Sequence, residues 1–390
     1  MSPRLFILAV AAFAIGVDGF VVAPILPELA ADLDVSVAAA GQLVTAFTLV
    51  YAIAAPVLTS MTGHIDRRRL LAVTLLVFTA GNALSAVAPT YWLMMASRVI
   101  AALGAALYLP NASGAAVILS PPERSGRALA LVMGGLSAAG LIGVPFGTLV
   151  AQELGPRGVF WMIVALGLLA AAGVAFFLPS IHLPVTLSLR ERIAMAAQPR
   201  IAGVLGVTAV TMAGAYALMT YLAPLLAETA GISGRGLTLV LLVSGAASLA
   251  GTAVTGRTID AYGGRRILLI ALCAALVGTP ALLLAHDPVL AGAVIGLVGL
   301  AAAGIVPAQQ WRLMAAAPEA GTLLLSLNST ALYLGMSVGG GLGGVTLATL
   351  GVTAVPLLAG AVYLLALLGT LLIRQKAAPA PSPGEVPSRA

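Results

Sequence analysis

Residues 5–29 read LFILAVAAFAIGVDGFVVAPILPEL, an apolar run in which Asp18 is the one charge before Glu28. About 20 apolar residues in a helix cross the hydrocarbon layer of a bilayer. No water is present there to receive backbone N–H and C=O groups, so such a run satisfies them internally as a helix. Arg4, just before the run, gives it the superficial look of a secretory leader. The run is too long for a leader, carries Asp18 and ends without a clean small-residue cleavage site, so it reads as a first membrane span.

Runs of the same kind recur along the chain. The expected spans are 5–29, 38–61, 70–88, 92–118, 128–152, 159–178, 201–226, 237–256, 267–285, 289–311, 322–349 and 352–373. Composition agrees: 61% of the 390 residues are hydrophobic and 8% are charged, and the mean hydropathy is +1.09. A soluble domain carries about 25% charged residues to cover its surface. The short alternating segments of a transmembrane β-barrel are missing. The fold class is therefore an all-α membrane protein of about twelve transmembrane helices.

Charge is segregated along the runs. One set of loops holds Arg4, Arg67 to Arg69, Arg124, Arg127, Arg190, Arg192, Arg200, Arg257, Arg265, Arg266, Arg374, Lys376 and Arg389. The alternate set holds Arg157 and Arg235, with Glu28, Asp32, Asp34, Glu153, Glu228 and Asp287. Lysine and arginine in short loops mark the cytoplasmic side. The expectation is an integral protein of the plasma membrane with both termini cytoplasmic. The net charge of +6 is spread between apolar runs and forms no aromatic-interleaved patch, so a nucleic-acid partner is not expected. The lone Cys273 excludes an intramolecular disulfide and a cysteine-rich metal site, and is expected as a buried structural thiol.

The chain also repeats itself. APILPELA at 23–30 matches APLLAETA at 223–230, and GLSAAGLIG at 135–143 matches GMSVGGGLG at 335–343. Arg68-Arg69 has a counterpart in Arg265-Arg266. Offsets near 200 fit a parallel duplication of a six-helix unit. The expected organisation is a six-helix bundle over 1–178, a cytoplasmic linker over 179–200 and a second bundle over 201–374. A proline-rich tail over 375–390 is expected to be disordered.

Between the eighth and ninth runs stands GRTIDAYGGRR, residues 256–266. Gly256, Asp260, Gly263, Arg265 and Arg266 resemble the loop signature of the major facilitator superfamily, G-x-x-x-D-x-x-G-R-R, with Gly264 as an extra residue. Asp260 at a helix end can pair with a nearby arginine, a latch that holds one arrangement of the bundles and releases in the other. A basic anchor with a tight turn accounts for the same residues. The first-half copy, TSMTGHIDRRRLL at 59–71, keeps Arg67, Arg68 and Arg69 but has Gly63 at the acidic position and Asp66 near the next helix.

Three further stretches resemble the twelve-helix drug–proton antiporters of that superfamily. Arg98, between MMAS and VIAALGAAL, resembles their fourth-helix arginine motif, with Ala101-Ala102 in place of glutamine-glycine. An arginine inside a span faces protein or a cavity, or else snorkels to the interface. In the fifth span, GGLSAAGLIGVPFGTL, the residues Gly140, Gly143, Pro145 and Gly147 resemble their G-x-P-x-G element. Small residues there allow close helix packing, and proline bends the helix. Asp18, the one acid in mid-span, resembles the first-helix acid of the same antiporters. A carboxyl group held away from water keeps its proton more readily and can exchange it when the cavity changes face. Simple pairing with Arg98 is the other reading.

Polar and aromatic residues of other spans are candidates for a central amphipathic cavity or for interhelical hydrogen bonds. In the first half these are Gln42, Tyr51 and Asn111. In the second they are Tyr216, Tyr221, Gln309, Gln310, Asn328 and Tyr333. The resemblance implies proton-coupled efflux of small amphipathic compounds by alternating access, with protons as coupling ion, no cofactor, and a monomer in the bilayer. Export of a sugar or nucleoside, or passage without protons, are the alternatives. A membrane enzyme is a separate class, but His64, His182 and His286 all lie in or near loops and form no catalytic set.

Overall fold

The computed structural model describes residues 3–121, 124–181, 189–317 and 320–373, except the side chains of Asp260, Gly321 and Thr322. The proposed tail and His182 lie outside the described residues. Twelve of the described helices are long and apolar enough to cross a membrane. In the first half they are α1 (Pro3–Val21), α2 (Val37–Met61), α3 (Arg67–Val87), α4 (Tyr91–Ile118), α5 (Ser125–Leu154) and α6 (Pro156–Phe177). In the second half they are α7 (Pro199–Thr220), α8 (Gly234–Tyr262), α9 (Gly264–Leu284), α10 (Pro288–Ala316), α11 (Gly321–Leu350) and α12 (Val352–Leu372).

Helix starts follow local chemistry. Ser36, Asp66, Thr90 and Asp287 accept hydrogen bonds from the orphan N–H groups of the first turns of α2, α3, α4 and α10, as N-caps do. Proline stands in the first turn of α6, α7 and α10, where its missing N–H costs nothing.

Several boundaries differ from expectation. The first span, expected to run to residue 29, stops at Val21, and a separate short helix, Leu26–Asp32, follows Pro24. The duplicated segment behaves alike: α7 stops at Thr220 and the chain restarts as Leu222–Ala230. Proline disfavours helix in the residue before it, which accounts for the first break. Within α5, residues Ala139–Gly143 form a π-helical turn just ahead of Pro145. The helix α10 is interrupted at Ala303-Gly304 and runs to Ala316, five residues past the expected end.

The first half has one contiguous core that draws on Leu5 to Ile181, joined by Tyr221 and Val355. The second half divides its buried residues among three smaller clusters. Glycines set the closest helix approaches. A Cβ built on Gly135 would lie 2.1 Å from the Ala9 carbonyl oxygen, and one on Gly335 would lie 2.2 Å from that of Ala209. These two contacts stand 200 residues apart in the chain, so α1 with α5 and α7 with α11 repeat one packing.

Large apolar side chains cover the outside, among them Phe176, Val289 and Leu372, each about four-fifths exposed. In water such a surface associates; against lipid tails it is the matching surface. Cys273 lies on this outer face and is exposed, which corrects the expected buried thiol. An apolar stretch of sequence reads alike whether it faces lipid or protein.

The two halves meet from mid-depth toward the end of the molecule poor in arginine. Tyr51 of α2 stacks on Tyr333 of α11, with centroids 3.7 Å apart and planes 18° from parallel. Farther along, Ser337 donates to the Thr45 carbonyl at 3.2 Å. Thr148 of α5 and Thr238 of α8 share a hydrogen bond of 3.0 Å, to which Gln152 also donates at 3.2 Å. At the arginine-rich end, the helix Leu189–Ala196 touches both α2 and α11, and Arg192 donates to Ser326 at 2.9 Å.

Candidate functional site

Small residues bring α1, α3 and α4 together around one ion pair. A Cβ on Gly81 of α3 would lie 2.4 Å from the Ala101 nitrogen, and one on Gly104 of α4 would lie 2.5 Å from the Phe78 nitrogen. The Ala101-Ala102 pair therefore fits a site where α3 and α4 nearly touch. Ser85 and Ser97 bridge the same two helices at 2.6 Å. On α1, Gly16 faces Ala139 and Leu136 of α5 closely enough that a Cβ would clash.

Within this frame the Arg98 guanidinium donates through Nη1 to Asp18 Oδ1 at 2.5 Å. Both residues are buried, at 1% and 0% exposure, so Arg98 does not snorkel. Arg98 lies seven residues inside α4 from Tyr91, about 10 Å along the helix at 1.5 Å per residue. Its guanidinium also lies 4.5 Å from the centroid of Phe47 and 5.9 Å from that of Phe160, within cation–π range. Asp18 Oδ2 has no hydrogen-bond partner among the described residues. Asn82 of α3, whose amide donates to the Phe78 carbonyl, lies near the Asp18 carboxylate, and so does Tyr333 of α11. Tyr333, stacked on Tyr51, thus brings a second-half side chain near the first-half ion pair.

The other expected residues divide into three groups. Tyr51 and Tyr333 meet at mid-depth between the halves, and Tyr216 interacts with Tyr333. Gln42 and Tyr221 sit in the closed seam toward the arginine-poor end: both would meet a Cβ on Gly344 at 2.6 Å, and Tyr221 donates to the Gly340 carbonyl. Asn111, Gln309 and Asn328 are buried and bonded within their own half. Asn111 donates to Leu107 O, Gln309 donates to Val204 O, and Asn328 accepts from Thr208. Gln310, next to Gln309 in α10, is half-buried.

In the α5 motif, a Cβ on Gly143 would meet Val17 at 2.4 Å and one on Gly147 would meet Val21 at 2.4 Å. Pro145 is buried between them. Gly140 differs from expectation, because a Cβ there meets nothing within 4 Å; the π turn carries it off the α1 face.

The two arginine-rich loops share one device. Arg68 donates to the Ala175 carbonyl at the end of α6, and Arg265 donates to the Leu371 carbonyl at the end of α12. Arg69 and Arg266 are exposed. Asp66 accepts from the Arg69 and Ile181 N–H groups at 3.0 Å, and from the Ser180 hydroxyl. These partners belong to the first half or the segment just after α6, and they tie the start of α3 to the segment after α6. A cavity of about 600 Å³ there is lined, among the described residues, by Asp66, Arg68, Arg69, Ala72, Ala175 and Ser180. In the second loop Gly263 adopts φ +77°, the left-handed region that favours glycine. Gly264, the extra residue, packs so closely on α10 that a Cβ would lie 2.8 Å from the Ala308 oxygen. Gly256 faces open space, and the Asp260 side chain lies outside the described residues.

Sequence reasoning missed Asn82 and Arg312. Arg312 is fully buried, donates to Gln309 at 2.8 Å, and leaves Nε and Nη2 without partners among the described residues. The signal was present: Arg312 directly follows GlnGlnTrp in an apolar stretch, but the expected span stopped one residue short of it. Asn82 stands among apolar residues of α3 and carries no motif.

Comparison with known proteins agrees with this architecture. The family model described as Major Facilitator Superfamily matches residues 8–295 and 204–389. An uncharacterised MFS-type transporter of Bacillus subtilis (strain 168), YbcL, is 33% identical over 371 residues, covering 95% of each chain. A chloramphenicol resistance protein of Streptomyces lividans is 33% identical over 344 residues, covering 87% of this chain and 88% of its own. Among solved structures, a bacterial homologue of the human lysosomal transporter Spinster, inward-facing and unoccupied, superposes with a TM-score of 0.74. It covers 97% of this chain and 100% of its own at 17% identity, a likeness of fold. Twelve membrane-spanning helices in two related halves, the matched family model and relatives spanning nearly the whole chain lead to one assignment: this chain belongs to the major facilitator superfamily of membrane transporters.

Proposed function

We propose that this transporter exports small amphipathic compounds from the cytoplasm in exchange for protons, and that its arginine-rich face is cytoplasmic. The observation that carries the reading is the buried Asp18–Arg98 pair beside the seam between the halves. A carboxylate at membrane depth is costly unless it is paired, and such residues mark ion and proton routes. Tyr333 in the second half interacts with the Asp18 charge and stacks on Tyr51, so a change of protonation bears directly on the contact that separates or joins the halves. Rocking of two duplicated bundles about such a point is the alternating-access scheme. The seam from mid-depth to the arginine-poor end supports a state open toward the cytoplasm. The Streptomyces relative named for chloramphenicol resistance supports a drug-like substrate.

The test is transport by the purified chain in lipid vesicles with and without an imposed pH gradient. Export should require the gradient. Asp18→Asn should lose gradient-driven transport, read on protein whose melting transition shows it folded, since Arg98 then stands without its counter-charge. Transport that persists unchanged when the gradient is collapsed would favour a facilitator, and unchanged proton coupling in Asp18→Asn would remove Asp18 from the mechanism.

A further inference from the structure

The same ion pair bears on which molecules are carried, an inference that rests on the transport reading above. The chain has 13 acidic residues. Glu123, Glu319 and Glu385 lie outside the described residues, and nine others lie in loops, in short helices at the two faces, or in the last turn of a span. Among the described acidic residues Asp18 alone stands at membrane depth, and its charge is already met by Arg98 at 2.5 Å.

A lipophilic cation in a low-dielectric site is held by a carboxylate, by the faces of aromatic rings, or by both. Here the chain's own guanidinium takes both. Arg98 binds Asp18 and stands over the Phe47 and Phe160 rings. The side chains that line the nearby seam, Tyr51, Tyr333, Thr45 and Ser337, carry no charge. When Asp18 takes up a proton the pair passes from neutral to positive, so in neither state does the site present net negative charge. We infer that Arg98 is a built-in occupant of a cation site, so that the transported substrates are uncharged amphipaths and lipophilic cations are turned away.

The test is equilibrium binding of radiolabelled tetraphenylphosphonium, a permanent cation, to the purified full-length protein in detergent. Wild type is expected to stay at background. Arg98→Ala leaves the Asp18 carboxylate unmatched, and should bind the cation at least tenfold more tightly, about 1.4 kcal/mol. Asp18→Asn combined with Arg98→Ala should return to background, and so should Arg98→Lys, which keeps the charge. Arg98→Met, closer in volume, is the second variant should Arg98→Ala melt early. Wild type binding the cation as tightly as Arg98→Ala would overturn the inference. So would wild-type affinity in an Arg98→Ala or Arg98→Met protein whose melting transition shows it folded. Binding needs no pH gradient, so failure here leaves proton exchange standing, and failure of proton exchange is read separately from the gradient dependence in vesicles.

Discussion

In the α1–α5 seam Gly135 rests on the Ala9 carbonyl and Gly143 on Val17; in the α7–α11 seam Gly335 rests on the Ala209 carbonyl and Gly343 on that of Ala217. Each contact in one half recurs 200 residues later in the other. The buried ion pair does not recur among the described residues. Position 218, the counterpart of Asp18, is leucine, 2% exposed. Duplication has preserved how the helices touch while the chemistry stays on one side. The requirement for close approach acts on every copy of a helix pair. A carboxylate at membrane depth occurs once among the described residues, and a second one without an arginine to meet it would cost stability.

The sharpest way to break this comparison is Asp18→Asn. Gradient-driven transport in vesicles should fall to the level of protein-free vesicles, measured on protein whose melting transition shows it folded. The converse substitution, Leu218→Asp, gives the second half an acid with no arginine to meet it. Its expected cost is about 3 kcal/mol, read as a loss of thermal stability in detergent. Next come the seams themselves. Gly135→Ala and Gly335→Ala should each destabilise by about 1–3 kcal/mol through overpacking. Gly206→Ala in α7, where a Cβ meets nothing within 4 Å, should leave stability unchanged or raised by up to about 1 kcal/mol. Unequal costs at 135 and 335 would show that the two seams are alike in geometry only. The smallest effect is expected from Tyr333→Leu. Loss of a stack worth about 0.5–1.5 kcal/mol should shift the balance between the two faces roughly two- to tenfold, as read by accessibility of single cysteines placed at either end.

Much of the architecture was legible because lipid imposes length and composition on each span. The duplication was legible from APILPELA and APLLAETA, and these segments break in the same way after Val21 and Thr220. Asp18 and Arg98 stood out since charge at membrane depth is rare. What the letters could not give was the direction in which a residue faces. Cys273 reads as core and faces outward. Asn111 and Asn328 read equally as cavity groups or as packing hydrogen bonds, and they make hydrogen bonds inside their own bundle. In a membrane protein both the interior and the lipid face are apolar, so the alternation that locates the core of a soluble helix is weak. Arg312 escaped for another reason, since charge near a span end is the ordinary pattern of positive-inside anchoring.

The π-helical turn at Ala139–Gly143 divides the loyalties of α5. On one side Gly135 is seated on α1; on the other, Thr148 and Gln152 reach across to Thr238. A wide turn ahead of a proline, which has no N–H to give, is the weakest rung of that helical ladder. Motion of one bundle against the other can therefore be absorbed by a single articulation within α5, leaving its grip on both neighbours intact.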